Sequence, residues 1–183
     1  MKNFVRKNLK FSLCGLNCAI CVMHIGGYCP GCGGGEGNQS CKIARCGMEK
    51  GLEYCFMCNI FPCDKLSDME KYDSFITHRN QIKDMEKARI SGMDSYVSML
   101  ELKERMLAYL LDNYDDGRKK SFYCMAVNLL DIKEIQKIIY DFESGNNVGM
   151  SIKQKADMLK DMLMHLADSM DIKLKLNKKE EDK

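Results

Sequence analysis

A mainly α fold, with a small cysteine-rich N-terminal module packed on a C-terminal helical bundle, follows from three observations. Ten of the eleven cysteines fall between Cys14 and Cys63. Glycine clusters at Gly26-Gly27 and Gly33-Gly34-Gly35 break that stretch into turns and a loop. From Asp64 onward cysteine nearly vanishes, and Met, Leu, Ile, Lys and Glu take over at helical spacing. The 183 residues therefore read as two domains, a cysteine-rich module over 1–63 and a helical domain over 64–183.

Hydrophobic content of 45% and charged content of 30% are those of a soluble globular protein, and a formal net charge of +2 implies no particular partner. The N-terminal MKNFVRKNLKFSLCG places basic residues before a cysteine, as a lipoprotein signal would. It lacks an apolar segment before Cys14, and Leu13 stands where a small residue is required. No stretch approaches the length of a transmembrane helix. The expected location is cytoplasmic, where thiols stay reduced and dense cysteines signify metal more often than disulfides.

The elements follow in chain order. Residues 1–13 are a basic lead-in, ending in a short predicted strand at Lys10–Leu13. After the cysteine module, one helix is predicted from His78 to Ser91, with Ile82, Met85 and Ala88 inward and Gly92 as its stop. A longer helix runs from Ser95 to Tyr114, where Met99, Leu102, Met106 and Leu110 form one stripe and Leu100, Leu107 and Leu111 widen it. Asp115-Asp116-Gly117 ends it. Ser121–Leu130 is apolar enough for a buried helix, and Ile132, Ile135, Ile139 and Phe142 mark the next, closed by Gly145. After the turn Gly145-Asn146-Asn147, Ser151 is the expected N-cap of a last helix with Ile152, Ala156, Leu159, Leu163 and Leu166 on one face. The alternation Ile172–Leu176 reads as a short edge strand, followed by a frayed Lys/Glu-rich tail. The fifteen methionines sit at core spacing among Leu and Ile, as adaptable filler and not as a copper-binding set.

A segment so rich in Cys and Gly and so poor in large aliphatic residues cannot bury enough apolar surface to fold by collapse alone. Its spacing is Cys14-x3-Cys18-x2-Cys21-x7-Cys29-x2-Cys32-x8-Cys41-x4-Cys46-x8-Cys55-x2-Cys58-x4-Cys63, with three CxxC pairs. Two intervening residues let both thiolates face one ion while backbone N–H groups donate to the sulfurs. In Cys29-Pro30-Gly31-Cys32-Gly33 the proline presets the turn and the following glycine permits a positive φ, as in the knuckles of rubredoxins and zinc ribbons. The favoured cofactor is zinc, two ions. A first partition gives Cys18, Cys21, Cys29 and Cys32 to one and Cys46, Cys55, Cys58 and Cys63 to the other, with Cys14 and Cys41 in reserve. Interleaved pairing is equally allowed. His24 could replace a thiolate, although a solvent-facing His24 is the plainer reading. The alternative is an iron–sulfur cluster, since Cys14-x3-Cys18-x2-Cys21 has the spacing used by radical S-adenosylmethionine enzymes. The helical pattern after Asp64 argues against that fold.

Residues 1–63 carry seven Lys or Arg against three Glu, a net of +4, leaving −2 for the rest. Two four-thiolate zinc centres, each about −2, would bring the segment near neutrality. A nucleic-acid partner, motivated by Lys2, Arg6, Lys7, Lys10, Lys42, Arg45 and Lys50, thereby loses most of its electrostatic support.

Cys14-Gly15-Leu16-Asn17-Cys18, Cys29-Pro30-Gly31-Cys32, CKIARCGMEKGLEYCFMC from Cys41 and FPCDKL from Phe61 resemble an uncharacterised family of cysteine-rich bacterial and archaeal proteins, domain of unknown function 3795. DDGRKKSFYCMAVNLL, Asp115 to Leu130, looks like the helical extension of its longer members. The resemblance implies metal binding through these cysteines, with no established reaction or partner.

Asp116–Ser121 is weighed as an anion site, but it lacks phosphate-loop spacing and reads better as a helix–helix turn. Cys124, in an apolar run, reads as a buried structural cysteine. His78 and His165 have no acid partner at useful spacing, and no Ser/His/Asp, paired-carboxylate or dinucleotide pattern rises above background. The resulting expectation is a metal-binding module of structural role that presents a rigid surface to a protein partner, with an iron–sulfur redox or catalytic protein as the alternative and a nucleic-acid-binding zinc module as a weaker one.

Overall fold

A computed structural model of the chain describes residues 3–35, 41–145 and 147–178. Lys2, Asn146 and most of the Lys/Glu-rich tail lie outside the described residues. The fold is mainly helical: α1 (Val22–Ile25), α2 (Lys42–Glu49), α3 (Gln81–Ser91), α4 (Met93–Tyr114), α5 (Lys120–Leu129), α6 (Ile132–Glu143) and α7 (Ile152–Ser169), with single 3-10 turns at Cys18–Ile20 and Cys55–Met57. No strand occurs among the described residues. By packing, the chain divides into two compact units, Met1–Glu101 with Leu176–Lys183, and Leu102–Lys175, so that the division falls inside α4.

The second unit is an ordinary helical core. Leu110, Tyr123, Ala126, Val127, Ile135, Leu159 and Leu163 are completely or almost completely buried. Residues 123–128 of α5 are buried without interruption, as an apolar helix with no solvent face should be. Asp131 caps α6 by accepting from Lys133 N at 2.8 Å. Ser151 caps α7 in a reciprocal box with Gln154, satisfying two N-terminal N–H groups at once.

The first unit surrounds its cysteine stretch with residues from outside it. Phe11 is fully buried, its ring 4.6 Å from Tyr96 of α4 and 5.8 Å from Tyr54. Leu13, Leu66, Met85 and Leu100 complete this core. A polar triad lies within it: Asn17 donates to Asp84 at 2.8 Å and accepts from the Tyr96 hydroxyl at 2.8 Å. All three are buried, and the bonds offset the cost of taking these groups out of water. Asn177 returns to this unit, exchanging backbone and side-chain bonds with Asp73.

Several expectations need correction. Lys10–Leu13 forms turns and no strand, because its carbonyls are taken locally: Lys10 O accepts from Ala19 N and Ser12 O from Gly15 N. Ile172–Leu176 is not a strand either; the chain reverses at Asp171, whose φ is 54°, and Ile172 N returns to Ala167 O to close α7. The segment from Asp64 to Asn80 is not helical but a run of turns. Its side chains compete for the backbone there, Ser67 Oγ bonding Asp64 O and Asp73 accepting from His78 N, so α3 starts at Gln81 instead of His78. Leu102 and Ile152 are about half exposed, and Leu166 and Ile82 are only partly covered. On α4 the buried line runs through Tyr96, Leu100, Leu107, Leu110 and Tyr114. Tyr96 against Phe11 and Tyr114 against Phe142 decide which face turns inward.

Candidate metal centre

The 3-10 turn at Cys55–Met57 is held to the lead-in by one bond, Cys55 N to Leu13 O at 2.8 Å. Cys58 closes that turn through its own N–H to Cys55 O. α2 passes alongside and contributes Cys46, with Gly47 packed so closely on Leu13 that an added Cβ would lie 2.2 Å from Leu13 Cδ1. These elements bring Cys46, Cys55, Cys58 and Cys63 to the wall of one pocket of about 40 Å³. Leu13, Ile43 and Leu66 form its apolar floor, and Lys50 and Lys65 also line it. The four cysteines are the second set of the sequence partition.

Their electrostatics differ. Burial, and then the neighbouring thiols of Cys14, Cys63, Cys46 and Cys58, push the Cys55 thiol up to about 12. Cys58 is half-buried and shifted the other way. A backbone N–H bond from Ile60 lowers its pKa, helped by Lys50, whose ammonium stands 3.5 Å from the sulfur. Backbone N–H groups pointing at a cysteine sulfur are the arrangement a CxxC knuckle offers a metal. Mutual repulsion among four thiolates is what a bound cation removes.

None of the eleven cysteines is in a disulfide. Among the described residues no three His, Cys, Asp or Glu side chains stand where they would already hold a metal ion. The donor set nevertheless fits a soft divalent cation in kind and number: four thiols at one pocket, with two lysines to offset the net negative charge of such a centre.

The other cysteines do not follow the sequence partition as simply. Cys18 takes a hydrogen bond from the Cys32 backbone, and burial pushes its thiol up to about 12. Its electrostatic neighbours are Cys32, Cys14 and Cys21. Burial also pushes Cys14 up to about 11, with Cys32 and Cys41 acting on it. Cys29 sits in the Cys-Pro-Gly-Cys-Gly turn, where Gly31 and Gly33 have φ of 92° and 88°. A Cβ on Gly31 would lie 2.8 Å from Leu9 O, so the glycine is needed for close approach as well as for its positive φ. His24 is half-buried and donates through Nδ1 to Cys29 O at 2.9 Å.

Sequence reasoning missed Arg6. Its guanidinium is buried, donates to the carbonyls of Phe11 (2.8 Å), Glu53 (2.9 Å) and Cys32 (3.4 Å), pairs with the Glu53 carboxylate at 3.5 Å and lies over the Tyr54 ring. One buried cation thus ties the lead-in to two separate turns of the module, and no local spacing in the sequence announces it. Lys10 pairs with Glu101 at 3.3 Å. Of the basic residues weighed for nucleic acid, Arg6 is therefore withdrawn from the surface.

Elsewhere, Cys124 is buried on α5 and His165 is exposed on α7. His78 is buried, its ring nitrogens on Met69 O (2.9 Å) and Ser74 Oγ (3.0 Å). At Asp115–Ser121 the turn N–H groups are taken by the chain's own carboxylates: Asp115 Oδ1 accepts from Gly117 N and Lys119 N, and Asp116 Oδ1 from Arg118 N. Lys119 bonds Asp116 and Asp157. This is a helix–helix turn.

Residues 10–68 match the family described as protein of unknown function (DUF3795). The match brackets all ten clustered cysteines, and α3 to α7 form a helical extension beyond it. The chain matches no curated protein and no solved structure. Among the described residues no helix is long and apolar enough to cross a membrane.

Proposed function

We propose that residues 10–68 form a metal-binding module in which a zinc ion, held by Cys46, Cys55, Cys58 and Cys63, staples α2 to the Cys55–Cys63 turn and gives the chain a rigid surface for a protein partner. The observation that carries this reading is the convergence of four cysteines, spread over residues 46–63, on one pocket floored by Leu13, Ile43 and Leu66. Zinc there would supply a cross-link between thiolates and no redox chemistry. The chain's own residues do the rest: the Ile60 backbone and Lys50 favour the Cys58 thiolate, and Lys65 adds positive charge at the same wall.

An iron–sulfur centre is the competing reading, favoured by the Cys14-x3-Cys18-x2-Cys21 spacing and by the interaction of Cys18 with both other members of that motif. Elemental analysis and a visible spectrum of protein purified without air separate the two. Colourless protein with zinc bound supports the structural staple. Brown protein containing iron and absorbing near roughly 400 nm would replace it with a redox or catalytic centre. Protein that takes up neither metal removes the whole reading.

A further inference from the structure

The three CxxC pairs of the module are not equivalent once the chain is folded. Cys55 and Cys58 face the pocket together with Cys46 and Cys63. Cys29 and Cys32 flank the Pro30-Gly31 turn. Cys18 and Cys21 do not line that pocket. They stand at the two ends of the 3-10 turn Cys18–Ile20, which Cys21 N closes by donating to Cys18 O at 3.0 Å.

This turn is suited to a bond between its end sulfurs. A four-residue turn holds its end Cα atoms within about 7 Å, and disulfides span about 4.4–6.8 Å between Cα atoms. Side chains three positions apart in a 3-10 turn lie above one another, so the two thiols leave the backbone on the same side. The frame is fixed as well. Ala19 N donates to Lys10 O at 2.9 Å, Ile20 N to Asn17 O at 3.1 Å, and Ser12 N to Leu16 O at 2.8 Å. Ala19 and Ile20 are 2% and 0% exposed, and the Asn17 side chain before them is held in the buried triad with Asp84 and Tyr96. Two thiols already fixed at this range lose little freedom when they join, which favours an intramolecular disulfide. A disulfide needs only two sulfurs, and the turn supplies both. Cys18 is half-buried and Cys21 is buried, so an incoming disulfide meets the Cys18 sulfur first.

We propose that Cys18 and Cys21 form a thiol–disulfide couple that reduces a small disulfide, a two-electron function separate from the metal pocket. The Cys18 sulfur, as thiolate, attacks one sulfur of the substrate. A bond forms from Cys18 to that sulfur, the substrate's S–S bond breaks, and the released thiolate takes up the proton that Cys18 gave. Cys21 then attacks the Cys18 sulfur of this mixed disulfide. The Cys18–Cys21 bond forms, the bond to the substrate breaks, and the second substrate thiolate leaves with the Cys21 proton. The substrate gains two electrons and two protons, and the chain loses them. Burial, which pushes the Cys18 thiol up to about 12, slows the first attack at neutral pH without changing its products.

The test exposes the full chain, purified without air, to oxidised glutathione, then counts the remaining thiols by alkylation under denaturing conditions and intact mass. Wild type should form one disulfide more than Cys18→Ser or Cys21→Ser. Cys21→Ser, which lacks the second sulfur, should instead keep a glutathione adduct on Cys18. Cys29→Ser should still form the Cys18–Cys21 bond. Fragment mapping of oxidised wild type should place the new bond between Cys18 and Cys21, a readout that needs no variant to fold. Bound metal in Cys18→Ser should equal that in wild type, so the couple and the pocket stand or fall separately. Equal thiol counts in wild type and Cys18→Ser, a bond mapped from Cys18 to any other cysteine, or loss of bound metal in Cys18→Ser would each overturn the couple.

Discussion

The two units bury comparable elements by different means. In the second, α5 turns six consecutive side chains into the core, and Leu159 and Leu163 of α7 are completely buried. Such a unit needs nothing beyond its own apolar surface. The cysteine stretch of the first unit buries few large side chains of its own, chiefly Ile20, Ile43 and Tyr54. It leans on Phe11, Leu13, Leu66 and Tyr96 from outside the stretch, and on polar ties through Arg6 and Asn17. The thiols of Cys14, Cys18 and Cys55 are all raised, first by burial and then by neighbouring sulfurs. The difference teaches where stability comes from: apolar packing in one unit, and in the other a core borrowed from neighbouring segments, to which the metal proposed above would add bonds between the thiols.

Chelation is the strongest way to break that comparison. Structural zinc sites contribute about 10–16 kcal/mol of apparent binding free energy, so a chelator should abolish slow amide exchange in residues 10–68 and leave α5 to α7 protected. Equal loss of protection in both units would show that the module has no special dependence on metal. The reverse perturbation is Leu163→Ala. It removes a fully buried side chain and should cost about 2–5 kcal/mol in denaturant unfolding with no change in metal content.

Smaller changes sharpen the contrast. Gly47→Ala drives a methyl into Leu13 and should destabilise the first unit by about 1–3 kcal/mol, because the clash is met on both sides by fixed packing. An unchanged melting transition would mean that Leu13 has room to move. Ser151→Ala removes one partner of the α7 capping box and should cost about 1 kcal/mol, in the second unit only. The smallest effect concerns pH. Glu143 accepts hydrogen bonds from Tyr109 and from Tyr114 (2.6 Å), which hold its carboxyl below the ordinary 4.5. A lowered folded pKa gives stability that is fully present above 4.5 and is lost as pH falls through the folded value. Glu143→Gln should therefore flatten the fall in Tm on acidification below pH 4.5, and parallel Tm-versus-pH curves would contradict it.

Much of the helical half was legible because its signals are local. Apolar spacing and the Ser151 N-cap describe α7, and Asp115-Asp116-Gly117 punctuates α4, without reference to anything distant. The set Cys46, Cys55, Cys58 and Cys63 was also readable, since short spacings keep these residues together whatever the rest of the chain does. Other features depended on residues far apart in sequence. Tyr96 against Phe11 turned Leu102 outward, Asp73 took the first N–H of a predicted helix, and Gln81 reached Cys14 across more than sixty positions. Periodicity reports which residues prefer to be inside an element, and cysteine spacing reports which thiols can meet without help. Which face prevails, which polar groups are buried as partners, and which distant thiols become neighbours are set by packing between segments, and that exists only once the chain is folded.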